Sequence, residues 1–188
     1  MSATISVRPL KPEDEGRWRQ LFDAYIVFYN LQVSQPVIDL TFSRLLAAAD
    51  GMVGLVAVGG DDQVIGLANL VFHRSTWSPS WYCYLEDLFV DPKARNAGAG
   101  RALIAATYAE ADRRGATRTY WATQGHNAPA RRLYDEVGVL TEFVASERVQ
   151  AVEGFAHVDR LAIHMDPDGA FGEEHQPRTR CRVRPPPR

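Results

Sequence analysis

Cysteine is nearly absent from this chain of 188 residues: Cys83 and Cys181 are the only two. Two thiols alone build neither a disulfide framework nor a zinc cluster, and a reducing compartment, the cytoplasm, is the expectation. Histidine is scarce as well, with five residues, at 73, 126, 157, 164 and 175, in no metal-ligand spacing. Metal chemistry is disfavoured. No apolar run approaches the ~18–20 residues of a membrane span, and no basic stretch followed by an apolar one opens the chain. A large excess of charge of one sign is missing too, the net charge being −2. That balance is uneven, however. Residues 177–188 hold five arginines (178, 180, 182, 184, 188) and no acid, so against the total of −2 the preceding 176 residues carry −7. The body lacks the basic clustering of a nucleic-acid binder, while the tail leaves open the recruitment of an acidic partner.

What is present is the balance of one globular domain: 46% hydrophobic and 23% charged residues. Val7 to Leu10 reads as a short strand. A helix follows Pro12, its acids Glu13, Asp14 and Glu15 at the positive end of the dipole. Trp18, Leu21, Phe22, Tyr25 and Tyr29 give it one apolar face. Asn30 to Pro36 breaks the pattern, and a second helix is expected over about 39–49. Val53 to Gly59 and Val64 to Phe72 are β-rich runs joined by turn residues. Trp81 to Val90 is a third strong strand. Thereafter the order is helix from Gly98 to Gly115, strand from Thr117 to Thr123, helix from Asn127 to Val137, and a last strand from Leu140 to Arg148. Antiparallel hairpins followed by a βαβα run predict an α/β fold with a mixed sheet and helices on both faces. After residue 149 the signals weaken. Leu161, Ile163 and Met165 alternate as an edge strand would, and the composition beyond Pro167 favours disorder.

The most informative stretch is the strand Tyr82 to Val90 running into Asp91-Pro92-Lys93-Ala94-Arg95-Asn96-Ala97-Gly98-Ala99-Gly100-Arg101. Glycines at a strand–helix junction let the backbone approach a ligand, and the first helical turn offers unpaired N–H groups to phosphate oxygens. A dinucleotide fingerprint would need glycine at 103, where Leu103 stands, and a P-loop lysine is absent.

Arg95-x-x-Gly98-x-Gly100 after an apolar strand resembles motif A of the GNAT superfamily of acetyl-CoA-dependent N-acetyltransferases. Asn127-x-x-Ala130-x-x-Leu133-Tyr134 resembles its motif B, and the strand Tyr84-Leu-Glu-Asp-Leu-Phe-Val90 is most similar to the polyamine and histone acetyltransferases. The likeness covers about residues 5–148, leaving 149–188 as a C-terminal extension. It implies the GNAT fold, a mostly antiparallel mixed sheet with one splayed parallel strand pair where acetyl-CoA binds. It assigns the cofactor to Leu88, Phe89, Val90, Arg95, Asn96, Gly98, Ala99, Gly100, Arg101, Asn127, Ala130 and Tyr134. It makes Glu86 the general base and Tyr134 the acid that meets the departing thiolate, with a backbone N–H near Leu88 to Val90 for the oxyanion. The implied acceptor is a primary amine: a polyamine, another small amine, or a lysine-bearing protein. A homodimer is compatible with it.

The residues themselves leave alternatives. Strand alternation sends Glu86 and Asp87 to opposite faces, so they do not form an acid–base dyad. A buried carboxylate needs a partner, and an arginine or a loop N–H would serve either one. An alkyl ammonium, with a pKa near ~10.4, must lose a proton before it attacks a thioester, which is work for Glu86. Cys83 reads as a small core residue. Asn127 before Pro129 reads as a helix N-cap, compatible with a contact to the cofactor arm. Trp77, Trp81 and Tyr82 could stack on a cation or simply pack. The usual Gly-Phe pair after motif B is Gly138-Val139 here, which leaves the acceptor pocket untraced. A second class of function, a non-catalytic acyl-CoA-binding sensor or partner-binding module, also stays open.

Overall fold

The protein is described from a computed structural model, which covers residues 5–60 and 62–142. The chain opens with β1 (Ser6–Pro9) and turns through a 3-10 segment at Pro12–Asp14 into α1 (Glu15–Phe28). There Asp14 accepts both Arg8 guanidinium nitrogens, at 2.7 and 2.9 Å, and the Lys11 N–H at 2.8 Å. This buried acid locks the strand to the helix start, and the Arg8 contact holds its carboxyl below the usual range. Next comes α2 (Gln35–Ala47), four residues earlier than the periodicity suggested. Pro36 looked like a breaker but stands in the first helical turn, where the missing N–H costs nothing.

The sheet is built from β1, β2 (Met52–Val58), β3 (Val64–Arg74), β4 (Trp81–Val90) and β5 (Ala116–Trp121), in that spatial order. All neighbours are antiparallel except β4 and β5. The crossover between those two is α3 (Ala99–Arg113), and α4 (Ala128–Val137) follows β5. One face of the sheet packs on α1 and α2 through Trp18, Phe22, Ile38, Phe42 and Leu45 against Val56, Leu67 and Phe89. The other packs on α3 through Leu103, Ile104 and Ala111 against Leu55, Ala68, Leu70 and Leu85, with Leu133 and Tyr134 of α4 alongside. Both faces are thus covered, as expected of the mixed sheet. Cys83 is fully buried in the second core.

Residues 140–142 carry no strand, and the rest of the strand expected to Arg148 lies outside the described residues, as do the domain boundary near 148, the 161–165 alternation and the arginine-rich tail.

Two irregularities position the site. The parallel pairing of β4 with β5 stops at Leu85 opposite Trp121, while β4 continues to Val90 paired only with β3. The two strands therefore part company beyond Leu85. On its other side β4 holds a bulge: Asn69 pairs with Asp87 and Leu70 with Leu85, leaving Glu86 as the extra residue. The bulge resets the phase of the strand. Cys83 and Leu85 enter the core beside α3, whereas Phe89 enters the core beside α1.

Candidate active site

A cavity of about 450 Å³ opens where β4 and β5 separate. Its wall contains Leu88, Phe89 and Val90 from β4, Arg95, Asn96, Gly98, Ala99, Gly100 and Arg101 from the loop and first turn of α3, and Asn127, Ala130 and Tyr134 from α4. These are all of the residues that the motif resemblance assigned to acetyl-CoA. Tyr25 and Phe28 of α1 and Tyr29 just after it join them. Tyr25, expected on the apolar face of the helix, does pack against the core, and it and Tyr29 line the cavity as well.

The floor is shaped for an anion. Gly98 caps α3 in the left-handed region, with φ +91, and a Cβ built there would meet nothing within 4 Å. Asn96 is left-handed too. The first intrahelical bond runs from the Ala102 N–H to the Gly98 carbonyl at 3.0 Å, so the amides of Ala99, Gly100 and Arg101 stand ahead of the helical ladder. Gly100 serves packing instead: a Cβ there would lie 3.2 Å from Leu133, so glycine lets α3 and α4 approach. Arg95 is braced by its Nε donating to the Val90 carbonyl at 3.2 Å, its guanidinium over the Phe89 ring. Arg101 is ion-paired with Glu136, which also lines the cavity, so its charge is already partly balanced. The diphosphate of a CoA arm fits this set of donors.

Asn127 caps α4 as expected, its side-chain oxygen facing the Ala130 N–H at 3.5 Å and its amide donating to Thr123 at 3.1 Å. Tyr134 packs its ring on Trp121. Burial, and then the nearby Tyr29, push its hydroxyl up to about 12, so it carries its proton across the neutral range.

The two acids of β4 differ in surroundings, and simple alternation does not describe them. Asp87 is turned toward α1. It accepts from Asn69 Nδ2 at 2.9 Å and from the Tyr25 hydroxyl, and Asn69 in turn faces the Trp18 indole N–H at 3.4 Å. Burial raises its carboxyl and these two bonds pull it back. Its partners are therefore an amide and a phenol, not the arginine or loop N–H considered from the sequence. Asn69 and Tyr25 were missed; the signal was one amide inside the apolar run Val64 to Phe72. Glu86, set out by the bulge, reaches solvent. Its carboxyl is raised, first by partial desolvation and then by Asp87. Tyr25, Tyr84 and Tyr120 all feel its charge. Glu86 is not part of the cavity wall; it lies two residues before Leu88, which is. Of the flanking aromatics, Trp77 is 82% exposed and Trp81 lies under Arg74 with the guanidinium 3.8 Å from its ring centre.

Residues 18–139 match the profile of the Acetyltransferase (GNAT) family. The chain belongs to this family. The D-amino-acid N-acetyltransferase HPA3 of Saccharomyces cerevisiae is 32% identical over 145 residues, covering 77% of this chain and 90% of that protein. An uncharacterized N-acetyltransferase of Bacillus subtilis, YhfO, is 29% identical over 134 residues, 71% of this chain and 89% of that protein. Among solved structures, the aminoglycoside N-acetyltransferase AAC(6')-Iy in complex with CoA shares the fold, with a TM-score of 0.68 and 20% identity over 80% of this chain and 98% of that one. The GNAT fold expected from the motifs is thus present. The chain is an acetyl-CoA-dependent acetyltransferase, which sets aside the binding-only module. The relatives are named for D-amino acids and aminoglycosides rather than for polyamines or histones, so the finer likeness is not carried over. Among the described residues no helix of this acetyltransferase is long and apolar enough to cross a membrane, and no His, Cys, Asp and Glu cluster is suited to a metal.

Proposed function

We propose that this GNAT acetyltransferase moves the acetyl group of acetyl-CoA to a primary amine of a small molecule by direct attack in a ternary complex. The observation that carries the reading is the opening between β4 and β5. It exposes one backbone edge of β4 beyond Leu85 to a thioester, with the α3 amides on one side and Tyr134 on the other. In this reading Ala99, Gly100 and Arg101 hold the diphosphate through their N–H groups, and Arg95 adds charge. A backbone N–H of Leu88 to Val90 polarises the thioester carbonyl.

Glu86 attracts the ammonium and takes its proton, directly or through water. The freed lone pair forms the C–N bond, the C–S bond breaks, and the sulfur leaves with the bonding electrons. The Tyr134 hydroxyl donates a hydrogen bond to that sulfur, and the second amine proton is released as the amide forms. An acid raised above its usual range is the better base for this task, because its conjugate form binds a proton more firmly at neutral pH. No enzyme nucleophile is needed, in keeping with the burial of Cys83, whose thiol is pushed up to about 11. We assign the catalytic domain to residues 5–148 and regard 149–188 as an extension. A lysine-bearing protein is the runner-up acceptor.

The test is an initial-velocity study over a panel of small amines, following CoA thiol release and identifying the product by mass. Intersecting double-reciprocal lines with an N-acetylated product support the reading. Parallel lines with an acetyl-enzyme intermediate, or acetyl-CoA consumption indifferent to every amine, would refute it.

A further inference from the structure

The sheet face that bears Tyr84 continues away from the bulge as a row of polar aromatic residues. Tyr84 stands opposite Tyr120 across the parallel strands, and their rings stack with centroids 4.8 Å apart. One pleat further along, about 6.6 Å by strand geometry, Tyr82 stands opposite Arg118. His73 of β3 closes the row: its Nε2 lies 2.9 Å from the Tyr120 hydroxyl, and its ring meets Tyr82 edge-on. The row begins next to the bulge at Glu86, two residues before Leu88 of the cavity wall. It ends at Arg118, whose guanidinium carbon lies 5.1 Å from the Tyr120 ring centre and 5.7 Å from that of Tyr82.

Opposite charges mark the two ends. At one, Glu86 stands beside Asp87. At the other, Arg118 is exposed, with no carboxylate in ion-pair contact among the described residues. The Tyr120 hydroxyl between them is raised chiefly by burial, with Arg118 lowering it and Glu86 raising it in smaller measure. Most other arginines of the described fold are already matched: Arg8, Arg17, Arg19, Arg44, Arg101, Arg113 and Arg114 all hold acids. A guanidinium propped between two phenol rings keeps its planar fork of donors ordered, and that fork matches a carboxylate. Beside it a concavity of about 290 Å³, lined by Ser75, Thr76, Trp77, Tyr82 and Arg118, leaves room for a side chain.

We propose that Arg118 determines acceptor specificity by binding the carboxylate of an acceptor whose amine lies at Glu86 and whose body lies on the Tyr84–Tyr120 pair, which makes amino acids the substrate class. This rests on the amine acetylation proposed above. A polyamine would bring a second cation toward Arg118 and be repelled. The bonds made and broken in the transfer are unchanged; Arg118 acts through binding alone.

The experiment compares kcat/KM for both enantiomers of phenylalanine, phenylalanine amide, phenethylamine and spermidine, in the wild type, Arg118→Gln and Arg118→Lys, with a melting curve for each variant. The wild type is expected to favour phenylalanine over its amide and over phenethylamine by about tenfold or more. In Arg118→Gln that ratio falls to near one, a loss of about tenfold or more, the size expected for losing one charged hydrogen-bond partner. Arg118→Lys recovers part of it, keeping the charge but not the fork. A wild-type ratio near one, or a ratio unchanged in Arg118→Gln, overturns the proposal. If Arg118→Gln does not fold, the wild-type ratio and Arg118→Lys decide. Turnover of spermidine without turnover of any carboxylate-bearing acceptor overturns this inference and leaves amine acetylation standing. No CoA release with any of these amines removes both.

Discussion

Replacing Tyr134 by phenylalanine deletes a single oxygen from the cavity, and the structure sets both the size and the kind of effect. The hydroxyl is held near 12 by burial and by Tyr29. A thiol of the CoA type ionises near ~8.5, so complete proton transfer from Tyr134 to the departing thiolate is uphill by about 5 kcal/mol. Tyr134 therefore stabilises the developing thiolate by donating a hydrogen bond that strengthens as charge builds, without surrendering its proton. Such a bond to an anion contributes about 1.5–3 kcal/mol. Tyr134→Phe should lower kcat about 10- to 100-fold, because the bond matures only as the C–S bond breaks. The ring and its packing on Trp121 remain, so acetyl-CoA affinity should stay within about threefold. Tyr134 should also impose no alkaline limb on kcat below about pH 11, one unit under its own pKa. Single-turnover kinetics and calorimetric titration measure the two quantities separately. A variant with undiminished kcat, or one whose acetyl-CoA affinity falls by the same factor as kcat/KM, would refute this account of the tyrosine.

Two further perturbations probe the acids of β4. Glu86→Gln leaves only the free amine as reactant, so its kcat/KM relative to wild type should rise about tenfold per pH unit, from the raised carboxyl pKa toward the amine's ~10.4; a pH-independent loss would point to a packing defect. Asn69→Ala removes a bond to Asp87 and strands the Trp18 indole, costing about 3–5 kcal/mol of stability at neutral pH. Because burial raises the folded pKa of Asp87, the folded state binds the extra proton, and this acid's contribution is most favourable below ~3.9 and is lost as pH rises through the folded value. Losing Asn69 raises that value further, so urea denaturation at about pH 4.5 should show a smaller deficit than at about pH 8.5; equal deficits would mean that Asn69 does not hold the charged form.

Much of this architecture is legible in the residues, for identifiable reasons. The strands from Val64 and Trp81 announce themselves by β-branched and aromatic runs between turn residues, the helix between Gly98 and Gly115 by its apolar spacing, and Asn127-x-Pro129 marks a helix start by cap chemistry. The residues proposed for the cofactor line one cavity because they lie at one strand end and on the two helices that the βαβα order must bring together. The bulge at Glu86 left no such trace. From Leu85 to Val90 β4 packs on α3 through one side and on α1 through the other, so polar and apolar residues do not alternate there and an inserted residue breaks no visible pattern. Tyr25 shows a related limit: its core spacing reports the ring, which does pack on the core, while its hydroxyl reaches Asp87 on another element. Arg118 and His73 carry no local signal; only strand pairing brings them to the same tyrosine.

If the turn before α3 cradles acetyl-CoA as proposed, Gly98 is the position where obstruction should be felt first. A side chain at φ +91 is strained by about 1–3 kcal/mol, most for a β-branched residue, yet it meets no protein atom within 4 Å. Gly98→Val should therefore fold with a modestly lowered melting temperature while its isopropyl group fills the space before the α3 amides. Gly98→Asn, whose side chain tolerates the left-handed region, separates strain from obstruction. Calorimetric titration of acetyl-CoA should show the dissociation constant of folded Gly98→Val raised by about tenfold or more, some 1.4 kcal/mol. A folded Gly98→Val protein that binds acetyl-CoA as tightly as the wild type would contradict the assignment of this turn to the cofactor.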